Sequence, residues 1–91
     1  MANTRHQLTL TDLQSAAASV MEKTDYRARQ KGLGVMSSGH EILGIILEEV
    51  QEYQAEVHAK HSRSDKIEEL KDIAVAAIWG IASIESGGVD W

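Results

Sequence analysis

Residues 48–72 read EEVQEYQAEVHAKHSRSDKIEELKD, and their pattern decides the fold. Two acidic signatures, Glu48-Glu49-Val50-Gln51-Glu52 and Glu69-Leu70-Lys71-Asp72, flank a polar break that runs from His58 to Asp65. Upstream, Ile42, Ile46, Val50, Tyr53 and Val57 recur at helical spacing. At about 100° per residue they form one continuous apolar stripe. Downstream, IAVAAIWGIASI from Ile73 to Ile84 carries no charge. The pattern predicts two helices joined by a polar turn, one from Ser38 or Gly39 to Lys60 and one from Lys66 to Glu85. Ser64 or Asp65 is the expected cap of the later helix, with Asp65 and Glu68 spaced for a capping box.

Further out, Leu13, Ala16, Ala17, Val20, Met21 and Thr24 share one helical face. Thr11 or Asp12 is the expected cap of that first helix, which reaches Arg29 or Gln30. The cations Arg27, Arg29 and Lys31 lie at its end, where they complement the helix dipole. Gly32, Gly34 and Ser37-Ser38-Gly39 predict a loop. A glycine-rich loop beside Arg and Lys is a candidate phosphate cradle, yet it matches no nucleotide fingerprint and lacks a preceding strand. A plain connection is the expectation. Residues 1–10 read as a polar arm and 86–91 as a loose tail, unless Trp91 docks.

The fold class expected is therefore all-α, a single domain over 1–91 with about three helices and an antiparallel central pair. Proline is absent and aromatic residues are scarce, so a core of Ile, Leu, Val, Ala and Met must come from close helix packing. A helix apolar on nearly every side, like 73–84, is buried on every side. A chain of 91 residues hardly covers it alone. A second copy is the expected cover, giving a homo-oligomer, dimer or tetramer, that completes a four-helix-type bundle.

Net charge of −5 gives no basic field for DNA or RNA. Without cysteine there are no disulfides, no thiolate catalysis and no Cys-based zinc sites. The amino-terminal stretch has no signal-like apolar core, and the run 73–84 is too short to span a membrane. A cytoplasmic protein is the expectation.

The acids carry the chemistry. Glu49 falls inside the apolar arc of its helix, where an amphipathic helix does not normally place a charge. Glu49 and Glu52 are three apart, about 60° in direction, and Glu69 and Asp72 repeat the spacing. If the two helices pack antiparallel, four carboxylates converge and raise one another's pKa unless a cation relieves them. Magnesium, or manganese, suits an all-oxygen set with room for water and phosphate. Glu48, off the main face, is a further ligand or a water-positioning group. Set against this, the acids pair with Lys60, Arg63, Lys66 and Lys71, or face solvent.

Glu48-Glu49-x-x-Glu52, a spacer, then Glu69-x-x-Asp72 resembles the E-E-x-x-E…E-x-x-D signature of MazG-like all-α nucleoside triphosphate pyrophosphohydrolases. That superfamily also includes dimeric dUTPases and phosphoribosyl-ATP pyrophosphohydrolases. The phrase IEELKDIAVAAIW is similar to the family's second motif helix, and the likeness covers about residues 38–85. It implies Mg²⁺ ligands at Glu49, Glu52, Glu69 and Asp72, with Glu48 as an auxiliary ligand or catalytic, water-orienting base. The implied reaction is hydrolysis of a nucleotide substrate between the α and β phosphates, giving a monophosphate and pyrophosphate. Arg27, Arg29 and Lys31 are candidates to meet the phosphates from a neighbouring subunit. Lys71 departs from the pattern, since many relatives have a small or apolar residue there. The alternative is a non-enzymatic or degenerate helical oligomer that binds a partner.

His58 and His61, three apart in the polar turn, have no evident third ligand and read as exposed. Trp79 is a candidate to stack on a base, but an interface position is the stronger expectation, and Tyr53 reads as core. His40 reads as a capping or surface residue.

Overall fold

The computed structural model describes residues 5–89, which form three α-helices and no strand among the described residues. Helix α1 spans Leu10–Lys31, α2 Gly39–His58 and α3 Arg63–Glu85. The predicted all-α class is what the chain forms. Met1–Thr4 and Trp91, whose docking the sequence leaves open, lie outside the described residues.

Helix α2 starts at Gly39 with Ser38 as its cap, as the spacing predicts, whereas α1 and α3 start earlier than the sequence predicts, for one shared reason. Both have the pattern hydroxyl-x-x-Asp, and both sequences offer overlapping candidates. At α1 the cap is Thr9 rather than Thr11 or Asp12. Its Oγ1 accepts from the Asp12 N–H (3.1 Å), and its own N–H donates to Asp12 Oδ2 (2.8 Å). These reciprocal bonds satisfy two end groups at once. At α3 the cap is Ser62, with Oγ accepting from the Asp65 N–H at 3.1 Å, so Asp65 lies inside the helix rather than before it.

The early start of α3 follows from how α2 ends. Lys60 has φ of +56°, which turns the chain sharply after His58, short of the expected end at Lys60. The Lys60 N–H donates to the Val57 carbonyl (3.2 Å) and the His61 N–H to the Glu56 carbonyl (3.2 Å). That is a Schellman closure, with lysine where glycine is usual. Helix α3 closes with the same pair of bonds, from Gly87 to Ile84 (3.1 Å) and Gly88 to Ser83 (3.0 Å), and Gly87 takes the positive φ of 81°.

Only α3 touches both other helices; α1 and α2 do not pack on one another. Along α1 and its following loop, Lys23 meets Glu68, Arg27 meets Asp72 and Gly34 meets Trp79, each separated by 45 residues. A constant offset means that α1 runs beside α3 in the same direction. On α2, Ile42 lies against Gly80, so closely that a Cβ at Gly80 would stand 2.9 Å from Ile42 Cγ2. The glycine is what lets the two backbones approach there.

The core is small. Val75, Ala76, Gly80 and Ser83 of α3 are buried, and no residue of α1 or α2 is. On α2, Ile42, Ile46 and Tyr53 are half-buried, whereas Val50 and Val57 of the predicted stripe are exposed. Leu43 and Leu47 join them in a second, uncovered apolar stripe. Ile67, Leu70, Ile81 and Ile84 do the same on α3.

Candidate metal centre

Helix α2 carries Glu49 and Glu52 one turn apart, and α3 carries Glu69 and Asp72 likewise. The structure brings all four together: each offers a carboxylate oxygen, and these oxygens lie within 4.8 Å of one another. Glu49, Glu69 and Asp72 are half-buried and Glu52 is exposed. Glu49 Oε2 and Glu69 Oε2 are buried with no hydrogen-bond partner. Buried polar atoms are almost always satisfied, so two orphaned acceptors facing one cluster mark a place prepared for a donor or a cation.

The electrostatics agree. Burial, then the charges of Glu52 and Asp72, push the Glu49 carboxyl from an ordinary 4.5 up to about 6, with Glu69 adding to the shift. Glu69 is raised for the same reasons, burial first and then Asp72 and Glu52. These groups resist ionising together in the absence of positive charge.

The donor set fits a hard divalent cation. All four donors are carboxylate oxygens, the ligand class of magnesium and manganese. Ligands on one magnesium at about 2.1 Å stand at most about 4 Å apart, so the oxygens need close only slightly.

Of the predicted ion pairs with Lys60, Arg63, Lys66 and Lys71, the one found among the described residues is that of Lys71, with Glu68 (3.1 Å). Its ammonium is thereby drawn off the four. Among the described residues no ion pair reaches Glu49, Glu52 or Glu69. Asp72 is the exception, and its partners come from α1. Lys23 Nζ stands 2.7 Å and an Arg27 guanidinium nitrogen 3.1 Å from Asp72 Oδ1. Lys23 also holds Glu68 Oε1 at 3.1 Å. Burial pulls the Lys23 ammonium down, but Asp72 and Glu68 outweigh it and leave the pKa raised.

Arg27 therefore reaches the acids from within the same chain. It also lines a cavity of about 340 Å³ with Lys31, Glu41, Ile45 and Trp79. Arg29 is exposed, with Nε on the Asp25 carbonyl at 3.4 Å. Glu48 is exposed on α2 and is not one of the four converging acids.

Loop 32–38 behaves as a connection. The Met36 N–H donates to Ser83 Oγ (3.0 Å) and the Ser37 N–H to Glu41 Oε1 (2.6 Å), so these two groups are spent within the chain. Gly32, at φ 83° and ψ −176°, occupies a backbone region essentially closed to other residues. Trp79 is half-buried, and its Nε1–H donates to the Gly34 carbonyl at 2.7 Å.

Lys23 and Glu41 are the residues that sequence reasoning missed. The available signal for Lys23 was its position four before Arg27, on the same face of α1. At the α2–α3 turn, exposed His61 has Glu56 and Asp65 beside it, with ligand atoms within 4.8 Å of one another and Nδ1 against Glu56 Oε2. His58 is not in that group. No family model matches the chain, and no curated protein or solved structure matches it either.

Proposed function

We propose that this chain is a Mg²⁺-dependent nucleotide pyrophosphohydrolase that cleaves nucleoside triphosphates between the α and β phosphates. The observation that carries the reading is the pair of orphaned buried oxygens, on Glu49 and Glu69, within a group of four convergent carboxylates. Water adds at the α phosphorus, the bond from it to the bridging oxygen breaks, and monophosphate and pyrophosphate leave. A divalent cation at this site supplies neutralisation of the phosphates and acidifies the attacking water. Glu49, Glu52, Glu69 and Asp72 hold that cation. Glu48, one residue from Glu49 and exposed, orients the water. Arg27, which bonds Asp72, and Lys31, which lines the same cavity, receive phosphate oxygens. Arg29 adds positive charge nearby.

The reading includes an antiparallel α2–α3 pair, supported by Ile42 meeting Gly80 while Glu49 and Glu52 meet Glu69 and Asp72. It also includes a homo-oligomer in the cytoplasm, dimer or tetramer, that completes a four-helix-type bundle. Accessible surface is 7038 Å², against about 5,200 Å² for a compact protein of this mass. The excess exceeds the roughly 800 Å² that each partner buries in a standard interface.

One observation favours a second reading, a degenerate helical oligomer that binds a partner without chemistry. Lys23 and Arg27 already neutralise Asp72. Pyrophosphate release from the common nucleoside triphosphates with Mg²⁺ separates the two. The hydrolase reading expects release that Asp72→Asn abolishes while circular dichroism stays unchanged. No release from any nucleotide leaves the partner-binding reading.

A further inference from the structure

We propose that the cavity beside the carboxylates receives the nucleoside end of the substrate and that Glu41 selects bases bearing an exocyclic amino group. The inference rests on the nucleotide reading above. The cavity's volume, about 340 Å³, lies in the range of small-ligand sites, and its lining is chemically graded. Arg27, bonded to Asp72 at 3.1 Å, marks the end that adjoins the acids. Glu41 precedes Glu49 by two turns of α2, about 12 Å at the helical rise, and so marks the other. Ile45 stands one turn from each, and Val35, Met36 and Trp79 extend the apolar wall. Arg27 with Lys31 one turn further along α1, the apolar wall, and Glu41 match the phosphate, ring face and base edge that a nucleotide presents.

Glu41 is held for such a role. The Ser37 N–H and Oγ–H both donate to its Oε1, at 2.6 and 3.2 Å. The carboxylate is thereby oriented while Oε2 takes no part in those bonds. A negative oxygen there repels a phosphate and accepts from an amino group. Cytosine N4 is such a donor, whereas the O4 of uracil or thymine is an acceptor and is repelled. Adenine and guanine carry amino groups as well.

The test uses Trp79 fluorescence in a Trp91→Phe background, which leaves Trp79 as the sole indole. Cytidine and uridine monophosphates are titrated in Mg²⁺ buffer. Cytidine monophosphate is expected to bind roughly tenfold more tightly, the discrimination of one good base contact. Glu41→Gln keeps a carbonyl oxygen for Ser37 and converts the other position into a donor, so the preference should reverse. Quenching by neither nucleotide, equal binding of both, or an unchanged preference in Glu41→Gln overturns the proposal. Pyrophosphate release from CTP and UTP is read in parallel. Selective binding with no release supports Glu41's role and removes the hydrolase reading. Release at equal rates from both does the reverse.

Discussion

Burial and its carboxylate neighbours hold the Glu49 carboxyl at about 6, above its ordinary 4.5. The folded state thus binds this proton more tightly than the unfolded chain does. The resulting stability is fully present below about pH 4.5 and is lost as pH rises through 6, at most about 2 kcal/mol. Glu68 works in the opposite sense, since the Lys23 and Lys71 hydrogen bonds lower its pKa. The informative quantity is therefore the difference between wild type and Glu49→Gln. Thermal denaturation without divalent cations should show the variant gaining on wild type by up to about 2 kcal/mol as pH goes from 4.5 to 7, several degrees in Tm for a domain of this size. Magnesium should raise the Tm of wild type and leave that of Glu49→Gln nearly unmoved. Equal magnesium responses would count against Glu49 as a ligand.

At the scale of helices, α2 and α3 end by the same hydrogen-bond closure, one turning on Lys60 and the other on Gly87. A left-handed conformation costs a residue with a Cβ roughly 1 kcal/mol, and Lys60 bears that cost. Lys60→Gly should stabilise the protein by about 0.5–1 kcal/mol in urea unfolding, part of the relief being offset by glycine's freer unfolded chain. A loss of stability would mean that the lysine side chain contributes something beyond the turn.

This turn also shows what could be read in advance. Helix identity was legible because apolar spacing extends over many residues. The convergence of Glu49, Glu52, Glu69 and Asp72 was legible because each pair sits one turn apart on helices that share a turn. The starts of α1 and α3 were not, since Thr9 and Thr11, or Ser62 and Ser64, offer rival caps within two residues, whereas the start of α2 at Gly39 and the end of α3 at Glu85 fall where the spacing puts them. Lys23 and Arg27 on Asp72 were hidden for a different reason. Their offset of 45 residues depends on how α1 lies on α3, which no local periodicity encodes.

For the molecule as a whole, the radius of gyration is 15.6 Å, where a compact chain of this length has about 12 Å. The excess belongs to a fold whose α1 and α2 share only α3, leaving apolar stripes on α2 and α3 uncovered. Leu43, Leu47, Val50 and Val57 lie on one such stripe. Sedimentation should find an oligomer, and Leu47→Glu, which sets a charge in that stripe, should shift it towards monomer and lower its Tm. A wild-type monomer would mean that the stripe serves another partner.

The connection of α1 to the rest has a kinetic side. With no packing on α2, the helix lies against α3 alone, where half-buried Val20, Thr24 and Ala28 accompany Lys23 and Arg27, the two cations that share Asp72 Oδ1. A helix so attached is the natural unit of local opening. A divalent cation held by the four acids would compete with α1 for the Asp72 carboxylate. Amide hydrogen exchange should accordingly be fastest in 10–31 among the three helices. On adding magnesium, protection should rise around 49–52 and 69–72 while that of 20–29 falls. Uniform protection gains along all three helices would show that α1 keeps its grip on Asp72 when the ion arrives.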